Sequence, residues 1–192
     1  MRKLAYLREE HLWYQLDLDD SRPRRDLPEE VRLVRAQASD VGAVEALGQE
    51  PAQALQRLEA GNDLWLVFDG DDPLFACYTF RQATPVMAAA HGTLNLPPGA
   101  ACLEDSVAAP AARGRGIAPG AWTLIGDELA RDGFAALVTK IETANIASRK
   151  AVEKVGFREV AVMEHQRVAM RRRTAVRPVG TGLGEELAAR LT

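Results

Sequence analysis

Between Pro110 and Ala118 the chain reads Pro-Ala-Ala-Arg-Gly-Arg-Gly-Ile-Ala. Gly114 and Gly116 let the backbone turn tightly and come close to a ligand. Arg113 and Arg115 add planar guanidinium donors, which suit phosphate oxygens. Ala118, Trp122, Ile125 and Leu129 recur at helical spacing and predict a helix over about 117–131, directly after the loop. The first turn of a helix carries N–H groups without internal acceptors and a partial positive charge. Glycines, arginines and a helix start together make a cradle for a diphosphate. The same residues also allow a plainer role, a helix entry with two solvated arginines.

Two familiar diphosphate sites do not fit. A P-loop needs Lys-Ser/Thr after its last glycine, and Ile117-Ala118 stands there. A dinucleotide fingerprint needs a third glycine where Pro119 stands, and an acidic residue about 20 positions on, where Lys140 and Ile141 stand. Other chemistry is sparse. His11, His91 and His165 have no metal-ligand spacing and are expected to be surface or partly buried residues, so no metal is expected. Cys77 and Cys102 are read as packed free thiols.

The elements that must position the loop follow from periodicity and turn residues. Leu12, Tyr14, Leu16 and Leu18 alternate, predicting a strand, and the polar run Asp19–Asp26 reads as a linker. Residues 1–26 are therefore set apart as a strand-like N-terminal extension. Residues 27–178 form the main domain, and 179–192 a tail with a short helix at about 185–191. Within the domain, strands are expected at 31–35, 64–68, 74–80, 101–108, 135–141, 159–163 and 166–176. Asp69-Gly-Asp-Asp-Pro73 makes the second and third a hairpin. Helices are expected from Ser39/Asp40 to Leu47, from Pro51 to Gly61 and from Asn145 to Val155. The stretch 82–99 has no clear pattern. The result is an α/β fold with one central mixed sheet flanked by helices. The N-terminal strand needs a sheet edge, in its own chain or in a second copy, which makes a homodimer one expectation.

With 192 residues and 47% hydrophobic content, one domain with a real core is expected. A formal charge of -3 argues against a nucleic-acid partner. No apolar run approaches the ~18 residues of a membrane span, and the early acidic residues do not fit a secretory signal. The expectation is a soluble, cytoplasmic protein with no membrane partner.

The segment Leu103 to Phe157 resembles the GCN5-related N-acetyltransferase (GNAT) superfamily. That family's cofactor loop reads Arg/Gln-x-x-Gly-x-Gly/Ala, matched by Arg113-Gly-Arg-Gly-Ile-Ala118 between a strand and a helix. Asn145-Ile-Ala-Ser148, seven residues and then Gly156-Phe157 resembles the family's second cofactor segment. The resemblance implies a GNAT-type, mostly antiparallel sheet and acetyl-coenzyme A as co-substrate. It also implies direct acetyl transfer to a primary amine, here a small-molecule amine acceptor, with a protein or peptide amine as the alternative. Backbone amides of Gly114, Arg115, Gly116, Ile117 and Ala118 would hold the pyrophosphate. The strand around Val107 and Ala108 would pair with the pantetheine arm and polarise the thioester carbonyl. Asn145 and Ser148 would reach that arm, and Asn145 also suits a helix N-cap.

An alkyl amine must lose a proton before or during attack. By the same resemblance Glu104 is the candidate base, and simple alternation puts it on one strand face with Cys102, Ser106 and Ala108. Asp105 on the other face is the second choice. A carboxyl in an apolar strand has its pKa raised, which favours base chemistry near neutrality. Val152 stands where family members usually place a tyrosine that assists the departing thiolate. Water, Ser148, Tyr78 or Tyr14 are the substitutes the sequence offers. A non-catalytic acyl-coenzyme A-binding module is the rival reading.

Overall fold

A computed structural model describes residues 6–89, 91–168 and 171–191. The described residues form ten strands and four α-helices. The strands are β1 (Tyr6–Asp17), β2 (Val31–Arg35), β3 (Asp63–Asp69), β4 (Asp72–Phe80), β5 (Ala83–Pro85), β6 (Thr93–Asn95), β7 (Ala100–Ala108), β8 (Ala136–Glu142), β9 (Arg158–Val168) and β10 (Arg171–Pro178). The helices are α1 (Pro51–Glu59), α2 (Ile117–Arg131), α3 (Ile146–Glu153) and α4 (Leu183–Leu191), with a 3-10 helix at Ala38–Leu47. Eight strands form one sheet in the order β10-β9-β1-β8-β7-β4-β3-β2; β5 and β6 form a separate ribbon within the stretch that showed no pattern. Within the large sheet only β7 and β8 are parallel.

The sheet separates two apolar layers. On one face α2 and α3 bury Ile117, Trp122, Ile125, Leu129 and Val152 against Leu12, Tyr14, Phe75, Leu103 and Leu137. On the other, the 3-10 helix, α1, α4 and the β5–β6 region cover Trp13, Leu66, Tyr78, Cys102 and Val138. Strand alternation assigns the layers: Leu12 and Trp13, like Leu137 and Val138, point opposite ways.

Three expectations are corrected. First, the strand set apart as an N-terminal extension lies inside the sheet, hydrogen-bonded to β8 on one side and β9 on the other. Its apolar residues alternate into both layers, so it is part of the core. Both partners belong to its own chain, so its backbone calls for no second copy. The Asp19–Asp26 run is likewise packed on the domain. Arg22 and Arg24 pair with Asp127 of α2, and the Arg25 amide donates to Thr123 Oγ1 at 3.1 Å. Gly120 of α2 permits that close approach, since a Cβ there would meet the Asp26 carbonyl oxygen at 2.7 Å.

Second, residues 38–47 are 3-10 rather than α-helical. Val41, Val44 and Leu47 recur every third residue and pack toward one layer, which suits three residues per turn. Its N-cap is Gln37, with Asp40 closing a capping box, instead of Ser39 or Asp40. Third, the expected last strand 166–176 spans two antiparallel strands. Residues up to Val168 belong to β9, and β10 folds back on it with Arg171 opposite Val168. Arg173 and Arg177 are exposed on this edge strand.

Candidate active site

The site begins where β7 and β8 part. Ala100, Ala101 and Cys102 pair with Ala136, Leu137 and Val138, and the register goes no further. Beyond it the strands diverge and leave a cleft of about 250 Å³. Leu103 to Ser106 line one wall and Thr139 to Glu142 the other; Trp122, Asn145, Ser148 and Val152 close it from the helix side, and His11 of β1 reaches its rim.

Glu104 and Lys140 lie two residues past the last paired positions, one on each strand. The Lys140 ammonium donates to Glu104 Oε2 at 2.6 Å, and Cys102 Sγ donates to Glu104 Oε1 at 3.3 Å. The two side chains are only 10% and 16% exposed, so the ion pair bridges the strands at the closed end of the cleft. Burial pushes the Glu104 carboxyl above the usual carboxylate range, while Lys140 pulls it partly back. Burial pushes the Cys102 thiol well up, so it is no nucleophile at neutral pH. His11 has its pKa lowered chiefly by burial.

A bulge shapes the same wall. Opposite β4, Tyr78 pairs with Glu104 and Ala76 with Val107, so Cys77 faces two residues, Asp105 and Ser106. Asp105 has φ +50°, the one positive φ outside glycine among the described residues. Gln49 Nε2 donates to its carbonyl oxygen at 3.2 Å, and Arg57 pairs with its carboxylate at 2.7 Å. These contacts offset the backbone cost of the left-handed conformation. The extra residue reverses alternation. Glu104 shares a face with Cys102 as expected, but Val107, not Ala108, lies toward that same layer, and Ala108 lies toward α2. The expectation that Ala108 shares the Glu104 face is thereby corrected.

A second cleft, of about 520 Å³, lies beyond the first at Ala108. Ala112, Arg113, Gly114, Gly116, Ile117 and Ala118 line it, with Arg25, Ala151 and Lys154 across from them. Gly114 and Gly116 have φ +77° and +76°, which is why glycine is needed there. Gly116 is the N-cap of α2 and supplies no side-chain cap. The amides of Gly114, Gly116, Ile117 and Ala118 have no acceptor among the described residues, whereas the Arg115 amide reaches the Ala112 carbonyl at 3.4 Å. The loop thus presents four free N–H donors beside an apolar wall.

Of the residues singled out in the sequence, the structure brings Glu104, Asn145 and Ser148 to the first cleft and Ala108, Arg113, Gly114, Gly116, Ile117 and Ala118 to the second. It does not bring the Arg115 side chain there. That guanidinium is tied to Glu30 at 2.8 Å and Asp69 at 3.2 Å. Val107 packs into the layer opposite α2 and lines neither cleft. Asn145 Oδ1 accepts from the Ser148 amide at 3.1 Å, so it does cap α3. Tyr14 hydroxyl is held by Arg149 and Glu153, and Tyr78 hydroxyl donates to Gln49, so neither lines the cleft. Residue-type reasoning missed Lys140, His11 and Arg25. Their elements are remote in sequence from the loop, and only sheet order and packing place them at the clefts.

No protein-family model and no curated protein matches the chain. Solved structures do match. A GCN5-related N-acetyltransferase from Sphaerobacter thermophilus is 13% identical with a TM-score of 0.62, covering 94% of this chain and 56% of its own. An acetyltransferase from the GNAT family of Colwellia psychrerythraea is 18% identical at 0.54, covering 84% and 56%. A ribosomal-protein-alanine N-acetyltransferase from Brucella melitensis is 15% identical at 0.52, covering 71% and 99%. This chain therefore spans little more than half the length of the first two. Its fold is that of the GCN5-related N-acetyltransferases: a mixed, mostly antiparallel sheet flanked by helices. No helix among the described residues is long and apolar enough to cross a membrane.

Proposed function

We propose that the protein transfers an acetyl group from acetyl-coenzyme A to a primary amine, the acceptor being a small molecule. The observation that carries this is that two clefts follow one another along β7, one fitted to a polyanion and one holding a buried carboxylate. The four free loop amides, Arg113, Lys154 and Arg25 suit the cofactor's phosphates. The diverging edges of β7 and β8 suit the extended, amide-rich pantetheine arm. The thioester then lies near Glu104, with a β7 amide available to stabilise the developing oxyanion.

Glu104 takes the proton that the attacking amine sheds. Its raised pKa makes it a stronger base than an exposed carboxylate, and the pair with Lys140 favours the ionised form that the step needs. Glu104, Asp105 and Glu142 outnumber Lys140 in the lining, which favours a cationic amine arriving from solvent. Val152, buried in the cleft lining, favours a second reading, a module that binds acyl-coenzyme A without turnover.

Release of free thiol from acetyl-coenzyme A in the presence of a panel of small primary amines, polyamines and amino-terminal peptides separates these readings. Turnover with at least one small amine is expected. Binding of the cofactor without turnover on any of them would favour the module, and preference for peptides would move the acceptor to a protein amine.

A further inference from the structure

The side chain that would usually assist the departing thiolate is missing at Val152, and neither Tyr14 nor Tyr78 lines the cleft. A serine hydroxyl such as Ser148 can hydrogen-bond a thiolate but does not give up its proton at neutral pH. The cleft does hold one protonated donor. Lys140 stands on the strand opposite Glu104, at the closed end where β7 and β8 part, and its ammonium is 2.6 Å from Glu104 Oε2. It has no other hydrogen-bond or ion-pair partner among the described residues.

We propose that Lys140 is the acid that protonates the departing thiolate, and that Glu104 recharges it across their shared hydrogen bond. This rests on the transferase reading above. The acceptor is drawn to the cleft mouth as the cation, releases one proton to solvent there and reacts as the free amine. Its nitrogen lone pair forms the C–N bond to the thioester carbonyl carbon, and the nitrogen's proton passes to the Glu104 carboxylate. Glu104 is then neutral, so the mostly buried Lys140 ammonium loses the one carboxylate it is paired with, a costly arrangement. As the C–S bond breaks, its electron pair stays on sulfur, and the sulfur takes a proton from Lys140. The carboxyl proton of Glu104 then moves to the neutral Lys140 amine over the 2.6 Å contact and restores the ion pair. The sum is amine plus acetyl thioester giving amide plus thiol, with both protein groups returned to their starting forms.

Other groups around the pair cannot do this as simply. Cys102 and Asp105 flank Glu104 on its own strand, with Arg57 on Asp105; Tyr78 lies opposite Glu104 on β4, donating to Gln49. His11 of β1 and Glu142 of β8 share the lining with Lys140. His11 has its pKa lowered by burial and so is held neutral, not as the cation an acid would require.

The decisive variant is Lys140→Arg. Arginine keeps the positive charge and the partner for Glu104 but cannot be deprotonated. Steady-state kinetics with acetyl-coenzyme A and the best amine are compared for the wild type, Lys140→Arg and Lys140→Met, with cofactor affinity measured by calorimetry as the test of folding. Both variants are expected to lose about 100-fold in kcat, in the range of a lost general acid, with cofactor affinity kept within about threefold. Lys140→Arg within about threefold of wild-type kcat would overturn the proposal and leave Lys140 a positioning residue that only orients Glu104. If neither variant folds, the unaltered protein decides with a series of acetyl thioesters: kcat should change less than about threefold as the leaving thiol is made more acidic, because the sulfur is protonated as it departs, and a steep rise with thiol acidity would overturn the proposal. A wild type that binds the cofactor but turns over no amine would instead remove the transferase reading, and this inference with it.

Discussion

The two clefts that follow one another along β7 are built in opposite ways. The larger one comes mostly from a single run of sequence, Ala112 to Pro119, and its lining holds Arg25, Arg113 and Lys154 against one carboxylate, Asp26. The smaller one takes its walls from β7 and β8, its rim from β1 and its cover from α2 and α3, and carboxylates outnumber the single ammonium in its lining. A polyanion can be held by local backbone, because amides and a helix start come with the chain. Acid–base chemistry needs two side chains at hydrogen-bond distance and shielded from water, and only tertiary structure supplies that. The contrast teaches that cofactor capture and catalysis should fail separately.

Glu104→Gln tests this with the largest effect. It should lower kcat by about 100-fold or more while cofactor affinity stays within about threefold, measured by thiol release and calorimetry. Equal loss of both would merge the clefts into one functional unit. The pH profile carries the same point. Because burial raises the Glu104 pKa, the acid limb of kcat at saturating amine should lie above the usual carboxylate range. Below that limb the base is protonated and the rate should drop about tenfold per pH unit. An acid limb at the pH of an exposed carboxylate would contradict the assigned base.

Gly116→Val should break the other side of the comparison. A β-branched residue at φ +76° costs about 1–3 kcal/mol of backbone strain and shifts the free amides. Cofactor affinity should fall at least about tenfold, while any residual kcat at saturation changes less. A smaller effect separates the two loop arginines. Arg113→Gln should weaken cofactor binding by about three- to tenfold and flatten its salt dependence. Arg115→Gln should leave affinity almost unchanged, because its guanidinium belongs to Glu30 and Asp69. The smallest expected change is at Asn145→Ala, which removes the α3 cap seen on the Ser148 amide and should cost about 1 kcal/mol in stability.

The loop and the elements on either side of it were legible because their signals are local. Gly114 and Gly116 mark positive φ, the stripe through Trp122, Ile125 and Leu129 marks α2, and Asp69 to Pro73 marks the β3–β4 hairpin. Three things were hidden because they are relations between distant residues. The Leu12-to-Leu18 alternation announced a strand, yet nothing in it said that β8 and β9 would flank it. The bulge at Asp105 and Ser106 reversed the face of every residue after it, and the sequence marks it only by an aspartate, a residue that tolerates the left-handed region. In the sequence Lys140 marks only the absence of an acidic ribose ligand, and it takes the β7–β8 pairing two residues earlier to bring it to Glu104.

The central claim is that the Arg113-to-Ala118 bend grips the phosphates of coenzyme A, and calorimetric titration of the wild type and Gly116→Val with acetyl-coenzyme A tests it most directly. One-site binding by the wild type, weakened about tenfold or more in the variant, is the expected result. No heat from the wild type, or equal affinity in the two proteins, would contradict it.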